Sequence, residues 1–308
     1  MLIFRGLYSS DQKSVALTIG NFDGVHFGHQ ALLAQVKEAA CLRGLPSAVL
    51  VFEPHPREFF TPLQAPARLT SMREKLELFA ALGVERVHVC RFNQQFAQMD
   101  AADFMYSLHE KLHVKFVLIG DDFRFGRARA GDFALMEKIG AQHGFVVQAM
   151  PSVLHDGVRI SSTAVRAALA DGDLRVAQSY LGRPYSISGR VVHGAGVGKG
   201  LGFPTANIQL KHNRPPLSGI FVVSVQGDDL PPLQGVASLG VRPTVSADGK
   251  PVLEVHLFNF SSEIYNKHLR VNFLHKLRDE VKYPDLESLT RQIAIDVNNA
   301  KQWFKQND

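Results

Sequence analysis

Short apolar runs alternate with amphipathic stretches through the first half of the chain, and this alternation constrains the fold more than any other feature. The runs occupy residues 15–19, 48–52, 87–90, 116–119 and 145–149. Segments with a helical spacing of apolar residues lie between them, at 31–42, 72–82, 102–112 and 133–142. Apolar strands separated by helices predict an α/β domain, a Rossmann-like parallel sheet covered on both faces. Such a sheet binds ligands beyond the carboxyl ends of its strands.

The second half is built from shorter, β-branched runs, at 187–192, 221–225, 236–239, 252–258 and 269–273. Turn signals separate them: Pro215-Pro216, Asp228-Asp229, Pro231-Pro232 and Asp248-Gly249. This spacing indicates a small antiparallel β-barrel or sandwich. After Pro284, Asp285 is a candidate N-cap for a closing helix with one apolar stripe. We therefore predict two domains, residues 1–182 and 183–308, within a chain of 308 residues.

Composition narrows the classes of partner. The formal net charge is +5, and the basic residues form no run of five or more, so we expect anionic small molecules and not nucleic acid as partners. Cys41 and Cys90 lie far apart, which argues against a disulfide framework or a thiolate metal site. No charged leader and no stretch of about 18 apolar residues occurs, so we expect a cytoplasmic protein that does not bind a membrane. Sequence leaves the oligomeric state open.

A glycine-rich decapeptide follows the first predicted strand and opens a helix, where backbone N–H groups and the helix dipole favour an anion. We take its glycines as positions that permit positive φ and close approach to a ligand. Two histidines three residues apart offer donors to phosphate oxygens and can stabilise charge developing on phosphorus. The predicted ATP- and phosphate-binding residues here are Gly20, Asn21, Phe22, Asp23, Gly24, His26, Gly28 and His29, with His26 and His29 catalytic.

A second anion site is indicated near residue 160. Ser161, Ser162 and Thr163 can cap a helix, and Arg159 and Arg166 supply cations for a triphosphate and departing pyrophosphate. A solvated basic face on an ordinary capped helix would give the same pattern. The histidine loop before it favours the functional interpretation.

The decapeptide resembles the H-x-G-H signature of nucleotidyltransferases and, in full, that of bacterial bifunctional riboflavin kinase/FMN adenylyltransferases (FAD synthetases). Segments 52–56 (FEPHP), 120–126 (GDDFRFG) and 159–166 (RISSTAVR) are similar to further family motifs, in the same order. The resemblance implies nucleotide and flavin contacts from Asp122, Phe123 and Arg124. Many relatives carry Asn where Asp122 stands, and an acid only accepts hydrogen bonds. His55 either lies near the flavin or stiffens a turn.

A glycine-rich segment at 189–208 marks the second predicted site. Its spacing fails the Walker pattern, so a glycine flap over a nucleotide is the better interpretation, with a glycine-rich hairpin and Asx turn as the alternative. The end of the segment resembles the P-T-A-N motif of riboflavin kinases. Thr205 and Asn207 offer oxygen ligands suited to Mg²⁺ on ATP. The predicted ATP- or flavin-binding residues are Gly194, Gly198, Lys199, Gly200, Gly202, Pro204, Thr205 and Asn207.

Glu254 alternates with apolar neighbours on a predicted strand, and we interpret it as an acid pointing into a barrel mouth. Its match in the family is the catalytic base that takes the proton of the riboflavin 5′-hydroxyl. Segment 273–283 resembles the closing motif of the kinase, which implies flavin or nucleotide contact by Arg278. The turn 240–244 resembles an architectural family motif.

The resemblance implies two ATP-dependent steps. Riboflavin is phosphorylated to FMN with release of ADP, and FMN then attacks the α-phosphorus of ATP to give FAD and pyrophosphate. Two rivals remain: a nucleotidyltransferase with another acceptor, such as nicotinamide mononucleotide or phosphopantetheine, and a flavin-sensing regulator or RNA-binding module on a retired enzyme.

Overall fold

The structure, a computed structural model, describes residues 1–8, 10–194, 197–211, 214–227, 230–241 and 251–307. The side chains at 197, 199 and 241 are outside that description. The predicted turns at 228–229 and 248–249 and residues 242–244 of the architectural turn therefore lie outside the described residues. No helix in the described ranges combines the length and apolarity needed to cross a membrane.

The chain divides by contacts into two compact units, residues 1–66 with 72–161, and residues 67–71 with 162–308. This division places the helices at 162–181 with the second unit. The predicted boundary at 182/183 leaves them with the first domain and stays a prediction.

A parallel sheet organises the first unit. Its strands are β1 (Leu2–Arg5), β2 (Val15–Ile19), β3 (Ser47–Glu53), β4 (Arg86–Arg91), β5 (Val114–Gly120) and β6 (Val146–Met150). Their order is β1-β4-β3-β2-β5-β6, and each neighbouring pair is parallel. A short antiparallel hairpin, β7 (Leu154–His155) and β8 (Val158–Arg159), follows.

Helices cover both faces of this sheet. They are α1 (Phe27–Leu42), α2 (Pro56–Phe60), α3 (Met72–Ala81), α4 (Gln94–Ala97), α5 (Ala101–Leu112) and α6 (Phe133–His143). One buried cluster packs α1 and α3 on the sheet through residues such as Leu33 and Phe79, and another packs α5 and α6 through Met105 and Met136. The predicted α/β domain is confirmed. The connection after β2 leads to β3 on one side and the connection after the adjacent strand β5 leads to β6 on the other, so the loop after β2 lies at the topological switch point that ligands favour.

A closed antiparallel barrel forms the second unit. Its strands are β9 (Tyr185–Val192), β10 (Ala206–Ile208), β11 (Gly219–Gly227), β12 (Leu230–Val241), β13 (Pro251–Leu257) and β14 (His268–Arg278), in the order β10-β13-β12-β11-β14-β9. Four helices accompany the barrel in the described chain: α7 (Ser162–Ala170), α8 (Leu174–Leu181), α9 (Val197–Gly200) and α10 (Leu286–Asn307).

The barrel has an apolar interior, and part of its outer wall is also apolar where α10 packs on it. Leu239, Leu253 and Val255 belong to the interior cluster, which also includes side chains of α7 and α8. Val222 and Val236 belong instead to the cluster that packs the closing helix α10 on the outer wall. The predicted barrel and closing helix are both confirmed.

Candidate active sites

The loop between β2 and α1 has a strained backbone. Phe22 and Val25 have φ of 49° and 44°, and Gly24 has φ of 83°. Positive φ is costly for residues with a Cβ, so the surroundings must enforce it. Val25 is completely buried, and the buried Phe22 ring packs edge-on against Phe79 of α3 at 5.5 Å. Packing therefore holds this loop in one conformation.

The glycines of this loop serve two purposes, and the prediction that all permit positive φ is wrong for two of them. Only Gly24 of the three has positive φ. A Cβ at Gly20 would lie 3.1 Å from the Phe22 ring, and one at Gly28 would lie 3.2 Å from the His26 ring. Gly20 and Gly28 are thus explained by close packing.

The two predicted histidines stand together at the start of α1. His26 is the N-cap, and its Nδ1 accepts a hydrogen bond from the His29 backbone N–H at 3.3 Å. Their rings stack at 3.7 Å between centroids. Burial, and then the charges of His26 and Lys75, hold the pKa of His29 well below its ordinary value of 6.5. His29 is therefore neutral at physiological pH.

Two buried polar atoms at this loop have no hydrogen-bond partner among the described residues: Asn21 Oδ1 and His29 Nδ1. An unpaired buried polar group is costly, so such atoms mark a place where a ligand or water completes the bonding. Both belong to the predicted phosphate-binding set.

Lys75 is a site residue that the sequence analysis missed. It belongs to α3, is 5% exposed, and its Nζ donates to the Asn21 carbonyl at 2.7 Å. A lysine within the apolar stripe Met72-Leu76-Phe79 was the available signal.

The structure also brings together Asp122 and Arg159. Arg159 donates to the Asp122 carboxylate at 2.6 Å, and both side chains are exposed. The acid at 122 therefore pairs with a cation that was predicted to meet the triphosphate. Arg124 is exposed and donates to the Phe123 carbonyl at 3.1 Å.

His55 caps α2. Its Nδ1 accepts from the Arg57 N–H, and its own N–H donates to the Glu58 carboxylate, both at 3.1 Å. These bonds support the interpretation that His55 stiffens a turn. Contact with flavin stays a prediction.

A cluster of phenylalanines at the carboxyl ends of β3 and β4 was also missed. Phe52, Phe92 and Phe96 pack with Phe59 and Phe60 at centroid distances of 5.3 to 5.9 Å. Phe60 is 61% exposed. The cluster presents an aromatic surface at the sheet edge where ligands bind.

The segment predicted to assist the histidine loop begins α7. Ser162 is the first residue of α7, and Thr163 follows it. Arg166 donates from Nε to the Ala67 carbonyl at 2.6 Å. These residues belong to the second compact unit, and their role in phosphate binding stays a prediction.

In the second unit, Asn207, Glu254 and Ser238 stand side by side on adjacent strands. Asn207 of β10 pairs with Glu254 of β13, and Glu254 pairs with Ser238 of β12. Directly opposite residues share one face of a sheet, with Cβ atoms about 5 Å apart. The neighbours Leu253 and Val255 face the barrel interior. The prediction that Glu254 points into the barrel mouth is therefore wrong, because it lies on the outer wall.

Two glycines of the glycine-rich flap lie close to the metal-binding candidates Thr205 and Asn207. A Cβ at Gly194 would collide with the Asn207 amide, and one at Gly198 would collide with the Phe203 carbonyl and lie 3.4 Å from the Thr205 hydroxyl. Gly200 and Gly202 have open space around them, and Gly202 has φ of 86°. The side chain of Lys199 lies outside the described residues.

A histidine holds the segment just before β10, next to the metal-binding candidate Thr205. His256 of β13 lies 2.9 Å through Nδ1 from the Pro204 carbonyl and packs edge-on against Phe203. The bond requires the tautomer with a proton on Nδ1. His256 faces the same side as Glu254 and fixes the residue before Thr205.

Thr205 and Asn207 fit Mg²⁺ by the chemistry of their donors, a hydroxyl and an amide oxygen. A side chain at Gly194 would occupy the space beside the Asn207 amide. The residues present are therefore compatible with a magnesium ion bound together with ATP phosphates.

Arg278 binds the closing helix. Its Nε and Nη2 donate to Asp296 of α10 at 2.9 and 2.6 Å, and its Nη1 donates to the Asp279 carbonyl at 2.9 Å. Hydrogen bonding to Asp296 raises the pKa of Arg278 above its ordinary value. This bidentate pair anchors the end of β14, and the implied contact with flavin or nucleotide stays a prediction.

Comparisons with known proteins cover nearly the whole chain. The family described as FAD synthetase matches residues 8–164, and the family described as riboflavin kinase matches residues 181–304. A bifunctional riboflavin kinase/FMN adenylyltransferase of Escherichia coli K12 is 46% identical over 308 residues, covering 99% of this chain and 98% of the relative. A Pseudomonas fluorescens protein of the same description is 47% identical over 306 residues, covering 98% and 97%.

A solved structure supports the fold. The crystal structure of a Streptococcus pneumoniae protein described as a macrolide-efflux protein has a TM-score of 0.80 and 28% identity. The match covers 96% of this chain and 97% of that one. Both units therefore have a counterpart within a single experimentally determined chain.

Proposed function

The chain belongs to the family of bifunctional riboflavin kinase/FMN adenylyltransferases, and from that premise we propose which residues carry out each reaction. It is an enzyme that phosphorylates riboflavin to FMN with ATP and adenylylates FMN to FAD with a second ATP. The products besides flavin are ADP and pyrophosphate. One observation carries the residue assignment: the histidine pair and the Asn207–Glu254 pair lie in different compact units.

We assign phosphorylation to the outer wall of the barrel. Glu254 accepts the proton of the riboflavin 5′-hydroxyl as that oxygen attacks the γ-phosphorus of ATP. General-base assistance of this kind contributes about 10²–10⁴-fold. Thr205 and Asn207 would hold Mg²⁺, which when bound neutralises charge on the phosphates. The direct pairing of Asn207 with Glu254 supports this, since it places a metal ligand beside the base.

We assign adenylylation to the loop after β2. The FMN phosphate attacks the α-phosphorus, and negative charge grows on the phosphate oxygens as pyrophosphate departs. Backbone N–H groups at the start of α1 and the neutral imidazole of His29 stabilise that charge by donating hydrogen bonds. The orphan Nδ1 of His29 and Oδ1 of Asn21 support direct contact between this loop and a ligand.

We propose that the phenylalanine cluster at Phe52, Phe59, Phe60, Phe92 and Phe96 holds the flavin ring during adenylylation. Isoalloxazine is a flat aromatic system, and aromatic side chains bind such rings by offset stacking or edge contact. The exposure of Phe60 supports this assignment.

We further propose that residues 1–182 carry adenylylation and residues 183–308 carry phosphorylation, and that the protein works in the cytoplasm. Both reactions use ATP. Cys41 and Cys90 are free thiols, which suits a reducing compartment.

The proposal is tested by following one incubation of the protein with riboflavin, ATP and Mg²⁺. Chromatography should show FMN appearing first and FAD accumulating from it, with one ADP formed for each riboflavin consumed and one pyrophosphate for each FAD formed. Replacing riboflavin by nicotinamide mononucleotide or phosphopantetheine should give no adenylylated product. Adenylylation of either compound, or no turnover of riboflavin, would contradict the assignment.

A further inference from the structure

The loop between β2 and α1 depends on neighbouring elements for its conformation. Two of its residues, Phe22 and Val25, have positive φ, although residues with a Cβ favour negative φ. Such a loop keeps its shape only where neighbouring elements fix it. One neighbour is α3, which reaches two consecutive loop residues.

Lys75 and Phe79 are four residues apart on α3 and so share one helix face. Phe79 contacts the ring of Phe22, and Lys75 donates to the carbonyl of Asn21 at 2.7 Å. The Phe22 ring in turn lies 5.0 Å from the ring of His29. The same face therefore sets the backbone at 21, the side chain at 22 and, through it, the histidine.

A buried lysine is an unusual choice for a purely structural contact. Lys75 is 5% exposed, and taking an ammonium group out of water is unfavourable unless its charge is used. Its charge also helps to lower the pKa of His29, after burial and His26.

We propose that Lys75 is a positioning residue for adenylylation, which holds the Asn21 carbonyl and thereby keeps the loop and His29 in their reactive arrangement. This inference rests on the proposed function of the loop. It concerns the second ATP-dependent step alone, because α3 and the loop belong to the first compact unit.

The test uses the full chain with Lys75→Met, which retains the unbranched stem and removes the donor. We expect kcat for FAD formation from FMN to fall about 10²-fold, as for small misplacements of reacting groups. Phosphorylation of riboflavin by the same preparation should be unchanged. The variant should remain folded, which circular dichroism checks, so that a selective loss of adenylylation reports on the loop and not on unfolding.

Lys37→Met is the matched control. Lys37 of α1 also donates from Nζ to a backbone carbonyl, that of Leu82, at 2.5 Å, but touches no residue of the loop in that bond. It should leave both reactions unchanged.

Three results would overturn the inference: normal adenylylation by Lys75→Met, loss of both reactions together with stability, or an equal loss of adenylylation in Lys37→Met. Wild-type protein is assayed in parallel. If wild type forms no FAD, the proposed function of the loop fails, and that outcome is distinct from a failure of the lysine's role.

Discussion

The reacting groups of the first unit sit on an irregular loop at the end of a parallel sheet, whereas those of the second unit sit on regular, paired strands. His26 and His29 depend on a backbone with positive φ and on side chains packed behind it. Asn207 and Glu254 depend on strand register, which the barrel fixes through many backbone hydrogen bonds. The loop site is therefore sensitive to distant packing, and the barrel site to pairing.

Removal of both histidines is expected to have the largest effect and to separate the two sites most clearly. We expect His26→Ala with His29→Ala to lower FAD formation from FMN by about 10⁴-fold, since each charge-stabilising donor contributes about 10²–10³-fold. Phosphorylation of riboflavin should persist, measured by chromatography of FMN. FAD formation at the wild-type rate would show that the loop does not do this chemistry.

Glu254→Gln should have the opposite effect, with phosphorylation lost and adenylylation retained. It keeps the shape of the side chain and removes the base, so FMN formation should fall about 10²–10⁴-fold. The variant supplied with FMN and ATP should still make FAD, and supplied with riboflavin it should make almost none. Normal phosphorylation would make Glu254 structural, and loss of both reactions in a folded protein would refute two independent sites.

Variants of the pair Arg278–Asp296 test whether Arg278 stabilises the barrel unit, contacts a ligand, or does both. Arg278→Ala leaves the buried carboxylate of Asp296 without its bidentate partner, and stranding a buried charge in this way costs about 3–5 kcal/mol of unfolding free energy. Denaturant unfolding of Asp296→Ala and Arg278→Ala measures this. If Arg278 also contacts flavin or nucleotide, Arg278→Ala loses more kinase activity than Asp296→Ala; equal losses indicate that it acts only through α10.

The smallest expected effect concerns acid stability of the first unit. Burial lowers the pKa of His88 on β4 from 6.5 to about 4. The unfolded chain therefore binds the extra proton between these values, and stability falls as pH drops from about 6.5 to about 4. The loss is up to about 1.4 kcal/mol per pH unit, roughly 3 kcal/mol in total.

Unfolding free energy of His88→Leu against pH should lack this slope, whatever its absolute stability. His155→Gln, at an exposed histidine on the β7–β8 hairpin, should retain it. An identical slope in His88→Leu and wild type would assign the acid response to other groups.

The sequence predicted the sheet and the barrel because apolar periodicity is a local signal. It missed β1, whose Leu2 and Ile3 are exposed and do not alternate with polar residues. It also missed β10, which at three residues is too short to show a period. Both strands are held by pairing with distant segments, and single-sequence patterns do not contain that information.

The site residues show the same limit. The alternation around Glu254 separates two faces of β13 but does not say which is inside, because α10 makes part of the outer wall apolar as well. The role of Arg278 depends on Asp296, which is remote in sequence from β14. The histidine loop was recognisable because its residues are contiguous, whereas Lys75 supports that loop from α3.

Asn207 and Glu254 stay opposite each other only while the register between β10 and β13 is kept. This requirement limits where residues can be inserted or deleted in the barrel. Deletion of one residue inside β13 would bring Leu253 or Val255 opposite Asn207 and turn the carboxylate towards the interior, since side chains alternate along a strand. Extra residues in a connection between strands leave that pairing intact. Insertions and deletions compatible with kinase activity should therefore collect in the barrel's connecting segments and be absent from β10 and β13.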